Sequence, residues 1–96
     1  GMHIISQKAL REFAAAHPDA RPGLDHWYQI LRKGTFHSLA EIRQALPSTD
    51  LVGAYYVFNI GGNATRLIAA IHFNRQRLFV RAILTHAEYD KDKWKG

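Results

Sequence analysis

Apolar residues recur along this chain with two different periods. In the first half they fall three and four positions apart, which predicts helices; from Leu51 onward they alternate with other residues, which predicts strands. A short apolar start, His3-Ile4-Ile5, reads as a strand, and Ser6 is placed to cap a helix. Leu10, Phe13 and Ala14 share one face of that helix, and His17-Pro18 stops it. A second helix begins near Pro22, where Leu24, Trp27, Tyr28 and Leu31 follow the i, i+3, i+4, i+7 rule, with Gly34 read as a left-handed cap. Ser38-Leu39-Ala40-Glu41 is a capping box that announces a third, shorter helix ended by Pro47.

Strands are predicted over 55–60, 65–73 and 78–85, separated by Gly61-Gly62-Asn63-Ala64 and by Asn74-Arg75-Gln76-Arg77, so two antiparallel hairpins are the simplest reading. Setting Phe73 opposite Leu78 gathers Leu67, Ala69, Ile71, Phe73, Leu78, Val80, Ala82 and Leu84 on one apolar face, which has to meet the helices. Arg66, His72, Arg81 and Thr85 then share the other face, with Arg66 opposite Thr85. Ile60 opposite Thr65 puts Phe58 and Tyr56 on the apolar face and Asn59 beside Arg66. A second capping box, Thr85-His86-Ala87-Glu88, starts a short terminal helix with His86 in its first turn and Tyr89 one turn on. The class is α+β: N-terminal helices on one face of a mainly antiparallel, twisted sheet, and a short C-terminal helix.

Charge sharpens this picture. The formal net charge is +5, and its excess lies in the second half. Between Leu51 and Ala87 there is no acidic residue, while Arg66, Arg75, Arg77 and Arg81 interrupt an apolar, aromatic stretch. Such a sheet presents a positive face, suited to a polyanion; the plain alternative is the solvated surface of a mildly basic protein. With 96 residues one core has to serve both fold and function. Gly1 ahead of Met2 reads as a tag remnant, so a single domain is expected over residues 2–96. The absence of cysteine excludes disulfides, thiolate metal sites and a cysteine nucleophile, and fits a cytoplasmic protein. No apolar run has the length of a membrane span. The six histidines show none of the usual metal-ligand spacings, and Gly61-Gly62 joins two strands rather than a strand to a helix. Neither a metal nor a nucleotide cofactor is expected.

The polar groups converge at one end of the predicted sheet. Cutting RNA without metal requires a base for the 2′-hydroxyl, cations for the charge that builds on phosphorus, and an acid for the departing 5′-oxygen. His86 is the candidate acid or base and Arg66 the main phosphate cation. Arg81 and Lys91 are candidate supporting cations, and Tyr89 a proton donor or stacking platform. Asn59, Asn63, Arg75 and Arg77 are further candidates for RNA contact. Each has a plainer reading: His86 as an ordinary first-turn residue, Tyr89 as packing under the sheet, the arginines as surface ion pairs, and Asn59 and Asn63 as hairpin turn residues.

At these same positions the chain resembles a known family. Phe58-Asn59-Ile60-Gly61-Gly62-Asn63 running into Arg66-Leu67, then Thr85-His86-Ala87-Glu88-Tyr89-Asp90-Lys91, is similar to the HigB-type toxins of the RelE superfamily. So are His3-Ile4-Ile5-Ser6, Leu10-Arg11-Glu12-Phe13, His17-Pro18-Asp19-Ala20 and Trp27-Tyr28, so the likeness extends over nearly the whole chain. The resemblance implies a RelE-like fold, an endoribonuclease that cuts mRNA during translation on the ribosome, and a HigA-type helix-turn-helix antitoxin. It also implies that operator DNA is met only through the toxin–antitoxin complex. Its catalytic roles transfer to Arg66 and His86 first, then to Tyr89 and Lys91, and last to Asn59, Asn63 and Arg81. Two other classes stay open: a ParE-like toxin that binds and poisons a topoisomerase, and an RNA- or ribosome-binding module without catalysis.

Overall fold

A computed structural model describes residues 1–61 and 65–90. Strand β1 (His3–Ile5) leads into α1 (Gln7–Ala16), a single 3₁₀ turn (Pro18–Ala20), α2 (Arg21–Lys33) and α3 (Leu39–Ala45). Strands β2 (Asp50–Val52), β3 (Tyr55–Ile60), β4 (Thr65–His72) and β5 (Arg77–Thr85) follow, and α4 (His86–Asp90) comes last. The five strands form one sheet in the order β1-β5-β4-β3-β2, antiparallel throughout except for the parallel pair β1–β5. The α+β class and the helix-then-strand order are as the periodicity predicts.

The core lies between the helices and one face of the sheet. Leu24, Trp27 and Leu31 of α2 and Ile42 of α3 are buried against Phe58, Ile60, Leu67, Ala69 and Leu78, and Leu10, Phe13 and Ala14 of α1 pack on its margin. The Trp27 indole meets the Phe58 ring edge-on at 5.4 Å. Burying side chains of this size contributes about 1.5–3 kcal/mol each, so this one layer supplies most of the driving force for folding. Gly23 lets α2 settle closely on β3: a Cβ there would fall 2.8 Å from Cγ2 of Ile60.

Four local expectations are corrected. Gly34 is extended (φ −82°, ψ 158°), not left-handed. Its lack of a side chain matters because a Cβ would lie 2.6 Å from a ring carbon of Phe36. Ser6 occupies the position before α1 but makes no side-chain cap bond. At Ser38 the Glu41 N–H does donate to Oγ (3.3 Å), yet the Glu41 carboxylate accepts from the N–H of His37 at 3.2 Å, one residue upstream of the box. Strand β2, too short to show alternation, was not foreseen and pairs Leu51 with Tyr56.

A further correction concerns register. Ile71 faces Leu78 and His72 faces Arg77, and a bulge then intervenes between the pairs Ala69–Val80 and Ile68–Ala82. Two residues of β5 there oppose one of β4, which reverses the alternation beyond that point. Ile83 therefore joins Leu78 and Val80 on the core face, in the place expected of Ala82 and Leu84. Arg66 faces Leu84, and Thr85 faces Thr65 instead of Arg66. The hairpin between β4 and β5 turns through Phe73–Arg75 and Gln76, whose positive φ of 52° suits glycine better than glutamine. Its side chain offsets that strain: Nε2 donates to the carbonyls of Phe36 (2.6 Å) and Phe73 (2.8 Å).

Candidate active site

On the sheet face turned away from the core, β3 presents Tyr55, Val57 and Asn59, and β4 presents Arg66, Ile68, Ala70 and His72. Val57 and Ile68 face each other across the strands and are buried although they lie outside the main core, so this face has an apolar floor. Polar and aromatic side chains stand around that floor.

Asn59 pairs with Arg66 on β3–β4, and Arg66 pairs with Leu84 on β4–β5. Two residues past Leu84 the chain enters α4, fixed by a reciprocal capping box. The Thr85 N–H donates to Oε1 of Glu88 (2.9 Å), and the Glu88 N–H donates to Oγ1 of Thr85 (3.2 Å). Capping fixes where the helix starts, and so places His86 at its first position, exposed, and Tyr89 half-buried one turn on. The guanidinium of Arg66 lies 5.4 Å from the centre of the Tyr89 ring, within range of a cation–π contact worth about 0.5–2 kcal/mol.

Arg66, His86, Tyr89 and Asn59 are thus brought to one end of the sheet. The Asn59 side chain has a structural use there, since Nδ2 donates to the carbonyl of Ser48 at 3.0 Å and ties β3 to the loop before β2. Arg81 falls at the bulge and turns to the same open face, where its guanidinium stands 5.6 Å from the Tyr55 ring centre. Arg77 is at the other end of β5, opposite His72, and Arg75 is in the turn beyond it. Neither belongs to the Arg66 cluster. Asn63 and Lys91 lie outside the described residues. Tyr55 was missed in the sequence, although it shares parity with Asn59 on β3 and so had to share its face.

Chemically, this end offers a fixed cation, an imidazole able to exchange a proton, and a phenol beside the cation. Among the described residues no three His, Cys, Asp or Glu side chains gather as a metal would require. No helix among them is long and apolar enough to cross a membrane. A groove of about 350 Å³ lies elsewhere, on the helical side, lined by α1 and α2 residues including Leu10, Ala14, Leu24 and Tyr28. It holds no part of this cluster.

The chain is similar to known proteins along most of its length. Residues 20–92 match the HigB_toxin family, described as the RelE-like toxic component of a toxin-antitoxin system. The chain is 36% identical over 92 residues to the mRNA interferase toxin HigB of Escherichia coli K12, covering 93% of this chain and 88% of that protein. It is 39% identical over 93 residues to the mRNA interferase HigB of Escherichia coli O6:H1, covering 94% and 90%. The mRNA interferase HigB of Shigella flexneri is 36% identical over 92 residues, with 93% and 88% covered. With the family match extending over most of its length and relatives aligned almost end to end, this chain belongs to the HigB family of RelE-like toxins.

Proposed function

We propose that this protein is a metal-independent mRNA endoribonuclease that acts in the cytoplasm on mRNA under translation at the ribosome. An antitoxin partner follows from the family, and we assign it the HigA type, a helix-turn-helix protein through which the toxin meets operator DNA. The observation that carries the reading is the convergence of Arg66, Tyr89 and the first residue of α4, His86, on the open end of the sheet.

In the reaction, a base takes the proton of the ribose 2′-hydroxyl as its oxygen attacks the adjacent phosphorus. An acid protonates the 5′-oxygen as its bond to phosphorus breaks, leaving a 2′,3′-cyclic phosphate and a 5′-hydroxyl. Arg66 holds the phosphate and stabilises the charge that grows on its oxygens. His86 handles one of the two protons, and Tyr89 supplies the other or stacks a base. DNA lacks the attacking hydroxyl and stays intact.

The test is to induce the wild-type chain, Arg66→Ala and His86→Ala and follow growth and transcript integrity, with folding of each purified protein checked by thermal melting. Growth arrest with cut transcripts in the wild type, absent in both folded variants, is the expected result. Arrest with intact mRNA would favour poisoning of another target by binding.

A further inference from the structure

The open face continues well beyond the Arg66 cluster. Arg66 and His72 are on the same face of β4, six residues apart, which at roughly 3.4 Å per residue gives about 20 Å of strand. Along it stand Arg81 with the Tyr55 ring at 5.6 Å, then Phe79 with the His72 ring edge-on at 5.4 Å, and Arg77 opposite His72. Phe79 is 36% exposed, one of two large apolar side chains described as exposed, and Ile5 of β1 lies beside it in the sheet. An aromatic ring partly open to water beside arginines, on a stretch free of acidic residues, suits an occupant with both flat faces and negative charge.

We propose that Tyr55, Arg81, His72 and Phe79 form a stacking track for single-stranded RNA, holding nucleotides that flank the one cut at Arg66. The inference rests on the nuclease reading for the cut itself, but the track is a separate binding element. Single-stranded RNA fits it for three reasons. Aromatic rings take any base by its π-face. Arginines at intervals neutralise a regularly charged backbone without reading sequence. The track is also continuous with the Arg66 end, so one strand can occupy both. Bulk base-pair geometry plays no part, because exposed single rings stack on bases already unpaired.

The experiment measures affinity of the full chain for a fluorescent single-stranded RNA of about nine nucleotides, within the roughly 4–16 that grooved single-strand binders cover. His86→Ala serves as the parent background so that the probe stays whole. Phe79→Ala is expected to weaken binding about 5- to 20-fold, the loss of one partly exposed stacking partner, with the salt dependence unchanged. Phe79→Trp is expected to keep the parent affinity. His72→Ala should weaken binding less, and Arg81→Ala should lower the slope of affinity against salt by about one ion. A folded Phe79→Ala protein that binds RNA like its parent overturns the track and leaves the nuclease reading untouched. A parent that does not bind the probe at low salt also overturns the track, and transcript cleavage on induction decides the nuclease reading separately. Loss of antitoxin binding in Phe79→Ala with RNA affinity kept overturns the proposal in favour of a protein occupant.

Discussion

Arg66 carries its guanidinium 5.4 Å from the centre of the Tyr89 ring, and this contact links the second residue of β4 to the last turn of the described chain. The sheet fixes one partner and the capping box fixes the other. A cation held in this way is oriented before a phosphate arrives, which is what transition-state stabilisation requires. Arg66→Ala is therefore expected to reduce RNA cleavage by roughly 10²–10³-fold without lowering the melting temperature appreciably, since Arg66 is only half-buried. Arg66→Lys should recover little, because an ammonium reproduces neither the planar fork nor the stacking on Tyr89. Cleavage assays paired with thermal melts on the two variants check this.

Tyr89 has two separable uses. If its hydroxyl donates the proton, Tyr89→Phe loses about 10²–10⁴-fold in rate. If the ring alone matters, Tyr89→Phe keeps activity and Tyr89→Ala loses it. The ring contact with Arg66 favours the second outcome, so Tyr89→Phe is expected to stay within about tenfold of wild type in rate while Tyr89→Ala falls further, read by single-turnover cleavage.

The capping box positions the candidate site by fixing where α4 starts. Thr85→Ala removes the hydroxyl that accepts from Glu88 and should cost about 0.5–2 kcal/mol locally. Because α4 carries both His86 and Tyr89, activity should fall more than global stability does. Thr85→Ser, which retains the hydroxyl, should restore activity. A variant set compared by cleavage rate and by melting temperature separates this positioning role from general destabilisation.

Gln76 is the strained residue of the β4–β5 turn, and its amide spans to Phe36 and Phe73. Gln76→Ala keeps the unfavourable backbone and loses both bonds, with an expected destabilisation of about 1–3 kcal/mol. Gln76→Gly relieves the backbone while losing the same bonds and should be the milder change. Urea unfolding with equal slopes for the two variants is the measurement.

Gly23 tests the packing of α2 on the sheet. Gly23→Ala improves helix propensity by about 1 kcal/mol, yet its methyl would meet Ile60 at 2.8 Å and Gly61 N at 3.2 Å. Overpacking of this kind costs about 1–3 kcal/mol, so net destabilisation is expected on thermal melting, by a margin smaller than for an added methyl in a strand.

Much of this fold was legible because hydrophobic period and capping chemistry are local. The apolar faces of α1 and α2, the capping box at Thr85 and the pairing of Asn59 with Arg66 all follow from spacing alone. The bulge in β5 did not, because strict alternation from Leu78 also gives an apolar face; only the alternative presence of Ile83 in the core distinguishes the two. Strand β2 and the parallel pairing of β1 depend on contacts distant in sequence. At the site, strict alternation set Arg66 opposite Thr85 and so beside His86, whereas the bulge pairs Arg66 with Leu84; the Tyr55–Arg81 contact likewise required knowing where the bulge turns Arg81. Arg75 and Arg77 contributed to the charge pattern but are in the β4–β5 turn and at the start of β5, at the far end of the hairpin, a separation that composition cannot express.

The proposed mechanism makes the 2′-hydroxyl of the RNA the attacking group at the Arg66–His86 end of the sheet. The most direct measurement is cleavage of a translated mRNA carrying a single 2′-deoxy nucleotide at the mapped cut, with the chemistry of the product ends determined. A 5′-hydroxyl end and a 2′,3′-cyclic phosphate are expected on the normal message, with no cut at the deoxy position. Cleavage through the deoxy position, or a 5′-phosphate product, would contradict that mechanism.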